Sequence, residues 1–190
     1  MNQYTRKNSL RLAGYDYSRP GYYFITICAK NGEVMFGKIE DGKMHANEYG
    51  QTAEAELRQT ADMWHFTLDC CTVMPNHIHF IAIKASAPSP QPVGAACGPP
   101  ETLPCGSTEP RNKQLARAKA FIPAMVQAYK AAVTRTIGFS LWHRSYYDSI
   151  IKTRSALEFM RKYINNNPAS WGNDKLNPRN FEEYIQKHPL

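Results

Sequence analysis

CTVMPNHIHFIAIK, Cys71–Lys84, is the stretch on which the reading of this 190-residue chain turns. His77, Ile78 and His79 sit inside an otherwise apolar run, the composition of a strand. Successive strand side chains point to opposite faces. His77 and His79 therefore share a face, about 6.5–7 Å apart along the backbone, and Ile78 points to the other. Two neutral imidazoles placed this way can share one divalent cation. The competing reading is a pair of strand histidines that bind nothing.

Outward from that strand, Pro75-Asn76 turns the chain and Phe66–Met74 reads as the strand before it. Glu48–Trp64 carries Ala53, Leu57, Ala61 and Trp64 at helical spacing and predicts a helix. Upstream, Tyr22–Lys30 is a β-branched and aromatic strand ending at the turn signal Asn31-Gly32. Val34–Ile39 reads as a second strand, and Asp41-Gly42 turns it into a return strand at Lys43–Ala46. Residues 1–21 are polar and basic and read as an arm. Downstream the composition breaks: residues 85–110 hold seven of the thirteen prolines and read as a disordered loop that supplies no core. Arg111–Gly138 is basic and Ala-rich. Pro123 fits a first turn, which predicts a helix over Pro123–Ile137. Leu141–Ile151 reads as a strand followed by a turn. Ser155 and Glu158 have capping-box spacing and open a helix that runs to the asparagines before Pro168. Ala169–Leu190 is polar, with Trp171, Phe181 and Tyr184 as docking anchors, and 172–190 reads as a C-terminal tail beyond the domain.

The size suits one domain with a real core, and no apolar run is long enough for a membrane span or a signal peptide. Five cysteines without metal-knuckle spacing suit neither a disulfide framework nor a zinc site, and point to the cytoplasm. Cys28, Cys70 and Cys71 read as small buried apolar residues. Charge is uneven: residues 1–110 carry 9 Lys/Arg against 11 Asp/Glu, and residues 111–190 carry 14 against 5. A basic half points to a polyanionic partner, most commonly nucleic acid.

The helix after Ser155 has an apolar stripe of Leu157, Met160 and Ile164, with Tyr163 at its border and Asn167 four residues on, on Tyr163's face. Pro168 biases Asn167 away from helical geometry, which would free its side-chain oxygen. A half-buried packing aromatic and a run of helix-ending asparagines are the competing readings. A tyrosine hydroxyl is a weak nucleophile at neutral pH unless a cation neutralises the phosphate it attacks. His77, His79 and the Asn167 oxygen would leave positions open on Mg²⁺ or Mn²⁺, with two imidazoles favouring Mn²⁺. Arg144, Lys152, Arg154, Arg161 and Lys162 around the tyrosine, and Lys130 on the helix before it, are candidate phosphate contacts. Tyr146, Tyr147 or Trp142 are candidate base-stacking rings. For each, a solvated charge or a packed ring is the alternative.

The segment VMPNHIHFI resembles the His-hydrophobic-His motif of the single-tyrosine HUH (insertion-sequence-type) transposases, and WHRSYYDSIIKTRSALEFMRKYINNNPASW resembles their tyrosine-bearing C-terminal region. GYYFITICAKNGEVMFGKI and IPAMVQAYKAAVT are similar to the REP-associated tyrosine transposase branch. The four segments occur in the family's order across about residues 20–171, and the proline-rich stretch stands as an insertion. The resemblance implies an α+β, ferredoxin-like antiparallel sheet with helices packed on it and a C-terminal tyrosine-bearing helix, a domain over 22–171. It implies His77 and His79 as metal ligands, Asn167 as the third and Tyr163 as nucleophile. The implied activity is metal-dependent cleavage and joining of single-stranded DNA at palindromic hairpin repeats through a 5′-phosphotyrosine, by a monomer or a homodimer. The alternatives are a hairpin DNA- or RNA-binding protein that does not cut, and a hydrolase that uses water. Imidazole ligation implies activity that falls below about pH 6.5.

Overall fold

The computed structural model describes residues 15–85 and 121–180. The strands are β1 Gly21–Cys28, β2 Gly37–Glu40, β3 Lys43–Ala46, β4 Thr67–Met74, β5 His77–Lys84 and β6 Tyr147–Ile151. The helices are α1 Glu48–Trp64, α2 Phe121–Ile137 and α3 Arg154–Asn166. Four strands form one antiparallel sheet in the order β4-β5-β1-β6, and β2-β3 make a separate hairpin. This is the α+β arrangement, helices on an antiparallel sheet, that the resemblance implied.

The sheet separates two layers by strand alternation. Ile78, Phe80 and Ala82 of β5 join Tyr23, Ile25 and Ile27 of β1 in the main core, where α1 and α2 contribute Leu57, Met125 and Tyr129. On the other face Ile81 packs with Ile151, Leu157 and Ile164, so α3 covers the side to which His77 and His79 point. Each fully buried Ile or Leu contributes roughly 1.5–3 kcal/mol. The two stripes therefore hold α1, α2 and α3 on opposite sides of one sheet. α1 begins at Asn47, whose side chain accepts from Gly50 N, and ends at His65 in the left-handed region with its N–H on Ala61 O. A Cβ on Gly50 would stand 2.3 Å from Phe36 O, so only glycine lets α1 lie this close to the chain leading into β2.

Four local expectations are corrected. Val34–Ile39 is a strand only from Gly37, because Met35 N and Phe36 N both bond to Pro75 O at the β4–β5 turn instead of joining a ladder. Within Leu141–Ile151 only Tyr147–Ile151 is a strand. The carbonyls of His143 and Ser145, each 2.9 Å from Lys130 Nζ, turn toward that ammonium. α3 is capped by Thr153, which accepts from Ala156 N, while Glu158 pairs with Arg154 rather than closing a box with Ser155. Tyr15 and Tyr17 pack against Tyr23, so the end of the expected arm joins the core. Cys28, Cys70 and Cys71 are free and half-buried. Residues 1–14 of the arm, 86–110 of the proline-rich stretch, and Phe181 and Tyr184 lie outside the described residues.

Candidate metal centre and nucleophile

The β5 register places Thr26 opposite His79 and Cys28 opposite His77. Both imidazoles are buried. Asn76, in the turn before β5, donates through Nδ2 to Gly32 O at 3.0 Å and to Leu176 O at 2.7 Å. Those two carbonyls fix the amide's orientation and aim Oδ1 at His77 Nδ1, 2.8 Å away. That nitrogen must carry the proton, so in the neutral ring Nε2 is a lone pair. His79 Nδ1 meets Thr26 Oγ1 at 2.8 Å; when that hydroxyl accepts, the proton sits on Nδ1 and Nε2 is free to ligate. The two Nε2 atoms face each other 3.0 Å apart. Two ligands about 2.1 Å from one ion, at right angles, span about that distance.

Asp174 supplies a third donor. The ligand atoms of His77, His79 and Asp174 lie within 4.8 Å of one another, with Asp174 Oδ2 3.8 Å from His77 Nε2. Oδ1 accepts from Leu176 N at 2.7 Å, but Oδ2 is buried with no hydrogen-bond donor. Asn167 Oδ1 is also buried without a donor. Buried oxygens in that state need a partner. A divalent cation is a partner that Asp174 Oδ2 and the two imidazoles fit, and this group of three could bind one. In sequence Asp174 falls within the polar tail. A short 3-10 turn, Trp171–Asn173, and the bond from Asn76 to Leu176 O instead fold residues 171–177 against the β4–β5 turn. Trp171 brings its ring to 6.0 Å from that of His77.

Burial pushes the His77 imidazole down to about 3. Burial, then the neighbouring His77, pushes His79 down to about 3, with Asp174 opposing. Both rings are thus held neutral well below the usual imidazole range, so protonation does not compete with a cation for them near pH 6.5.

α3 carries Tyr163 to this centre. Its Oη is 3.5 Å from His79 Nε2, too long for a strong hydrogen bond. Its ring lies 5.4 Å from the His79 ring and edge-on to Phe24. Tyr163 is 40% exposed and lines an open groove. Burial raises its pKa, the Asp174 charge raises it further, and the Asn167 side chain lowers it. Asn167 keeps helical φ −56 and ψ −43 despite Pro168, because its N–H still bonds to Ile164 O. Its side chain lines the Tyr163 groove from a continued helix rather than a frayed one. His79, Tyr163, Asn167 and Asp174 line one open groove of about 560 Å³.

The candidate phosphate and base contacts divide. Lys130 donates to the His143, Arg144 and Ser145 carbonyls, and burial lowers its pKa to about 8. Tyr146 is buried with its ring 6.0 Å from the Lys130 ammonium. Trp142 is buried too, donating to Lys130 O. Arg161 makes a two-point bridge to Asp69 at 2.7 and 2.6 Å. Arg154 pairs with Glu158 on the surface. Arg144, Lys152 and Lys162 are exposed, and Tyr147, 48% exposed, lines the Tyr163 groove. Asn76, Thr26 and Asp174 were missed in sequence, because their importance comes from pairing and from contacts across the chain.

No family model matches the chain. An uncharacterized protein of Haemophilus influenzae is 32% identical over 177 residues, covering 90% of this chain and 92% of its own length. Among solved structures, a REP-associated tyrosine transposase bound to a REP hairpin aligns with TM-score 0.54 and 15% identity, over 87% of this chain and 76% of its own. A putative transposase of Deinococcus radiodurans covers 82% of this chain and 97% of its own at 17% identity, with a TM-score of 0.43, too low to bear on the fold.

Proposed function

This chain belongs to one family with the Haemophilus influenzae protein and has the fold of a REP-associated tyrosine transposase, and from that premise we propose that it cuts and rejoins single-stranded DNA through Tyr163. The observation that carries the reading is the Tyr163 hydroxyl 3.5 Å from His79 Nε2, beside three convergent metal-ligand side chains. The chain would then belong to the REP-associated branch, with hairpin-forming repeats as its substrate class. The solved relative's REP hairpin supports that choice.

His77, His79 and Asp174, with Asn167 beside them, would hold a divalent cation, which when bound would supply neutralisation of the phosphate oxygens and of the charge that builds up in the transition state. Two imidazole nitrogens in the set favour Mn²⁺ over Mg²⁺. Asn76 and Thr26 orient the two imidazoles so that Nε2 ligates. Tyr163 gives its proton to water at the open side of the groove, and its oxygen bonds to phosphorus. The P–O3′ bond breaks, and the leaving 3′ oxygen takes a proton from solvent. The 5′-phosphate remains on Tyr163, and attack by another 3′-hydroxyl reverses the step and joins strands. Burial first, and then the Asp174 charge, hold the phenol protonated while the site lacks positive charge. One chain supplies His77, His79, Asp174 and Tyr163.

Hairpin oligonucleotides carrying a single-stranded flank, incubated with Mn²⁺, test the reading. A denaturant-resistant protein–DNA adduct is expected from the wild type, and none with EDTA or in Tyr163→Phe. An undiminished adduct in Tyr163→Phe removes the nucleophile assignment. Salt-sensitive binding without any cleavage would leave a hairpin-binding protein.

A further inference from the structure

Phe159 has no role in the chemistry above, yet its ring is 65% exposed. An apolar ring left in water contributes little to folding. It stands four residues before Tyr163 on α3, on the same helix face. It lines both the groove that holds Tyr163 and an adjoining depression of about 260 Å³ that Lys162, Asn166 and Ser170 complete. Tyr147, 48% exposed on the edge strand β6, lines the same groove from the sheet side. Lys162 borders the depression and Lys175 the groove. Two water-exposed rings beside the reactive hydroxyl, with cations along the path, have the make-up of a surface for unpaired nucleotides. Such surfaces combine aromatic faces for bases with positive charge for the backbone.

We propose that Phe159 and Tyr147 form a base-stacking clamp for the nucleotides flanking the scissile phosphate, with Lys162 and Lys175 on the adjacent backbone. The proposal rests on the single-stranded DNA reading above and adds the residues that position the substrate. The occupant is a nucleobase rather than a second copy of this chain, because lysines rim the rings and residues 111–190 carry 14 Lys/Arg against 5 Asp/Glu.

The test measures binding of a single-stranded oligonucleotide carrying 2-aminopurine to the full chain in EDTA, so that neither cation nor cleavage enters the readout. On wild-type protein, stacking should quench the probe. Phe159→Ala should weaken binding about 5- to 100-fold and restore fluorescence. Phe159→Trp should retain both properties, and Phe159→Leu, apolar but without a π-face, should lose them. The salt slope of binding should stay unchanged in Phe159→Ala and fall in Lys162→Ala. Since Phe159 is exposed, the melting temperature of its variants should stay within a few degrees of wild type. Unaltered affinity and quenching in Phe159→Ala, or no binding by wild type, overturns the clamp. So does a wild-type dimer in sedimentation that Phe159→Ala dissolves, which assigns the surface to a second copy. A clamp that fails while the Tyr163 adduct still forms leaves the proposed function standing. Missing adduct with intact quenching has the opposite meaning.

Discussion

Lowering the pH of the cation-free protein from 7.5 to 5 should remove about 4 kcal/mol of stability through two side chains. His77 and His79 are 0% and 3% exposed, and burial holds each near pKa 3 when folded. In the unfolded chain each returns to about 6.5. The unfolded state therefore takes up protons that the folded state refuses. Their contribution is intact above about 6.5 and drains away as pH falls from there toward 3. At pH 5 the unfolded rings are almost fully protonated and the folded ones are not, which costs about 2 kcal/mol each. Against a typical total of about 5–15 kcal/mol that is a large fraction. For a chain of this size it corresponds to about 8–16 °C in melting temperature. The assay is urea denaturation in EDTA between pH 7.5 and 5, on wild type and on the double variant His77→Asn, His79→Asn. The wild type should lose stability steeply below pH 6.5, and the double variant should show a shallow slope. Equal slopes in the two proteins would refute the claim that both imidazoles are buried neutral.

Other perturbations separate the parts of the centre. Asn76→Ala should weaken Mn²⁺ binding by about 10–100-fold in calorimetry, because His77 loses the acceptor that orients it and residues 174–177 lose the bond at Leu176. Unchanged affinity would mean that Asn76 serves only the turn. Asp174→Asn should weaken Mn²⁺ binding and, with its charge gone, lower the Tyr163 pKa in a spectrophotometric titration. An unaltered titration would separate Asp174 from the phenol. Gly50→Ala should cost about 1–3 kcal/mol or more in urea denaturation, since its Cβ would stand 2.3 Å from the Phe36 carbonyl oxygen. Wild-type stability there would show that α1 can move off β2.

How much was readable in sequence follows from how local each signal is. Alternation alone put His77 and His79 on one face, and the bounds of β5, α1 and β3 follow from turn residues and periodicity at their ends. The failures are non-local. The Val34–Phe36 backbone is diverted by Pro75 O, forty residues away in the chain, and residues 143–145 by one lysine on α2. Ser155 and Glu158 had the right spacing for a cap, but Thr153 is where the backbone leaves β6 and enters the helix. Asn167 was placed correctly beside Tyr163 but by the wrong route, since the bias that Pro168 imposes yielded to a continued helix. Asp174 was invisible because a single acidic residue in a polar segment carries no pattern. Only the fold of residues 171–177 against the β4–β5 turn brings it to the histidines.

Mass spectrometry of the peptide containing Tyr163, after incubation of the full chain with Mn²⁺ and a hairpin oligonucleotide, is the most direct measurement of the central claim. A 5′-linked nucleotide on the Tyr163 oxygen is the predicted result. Cleaved DNA with an unmodified Tyr163 would contradict it.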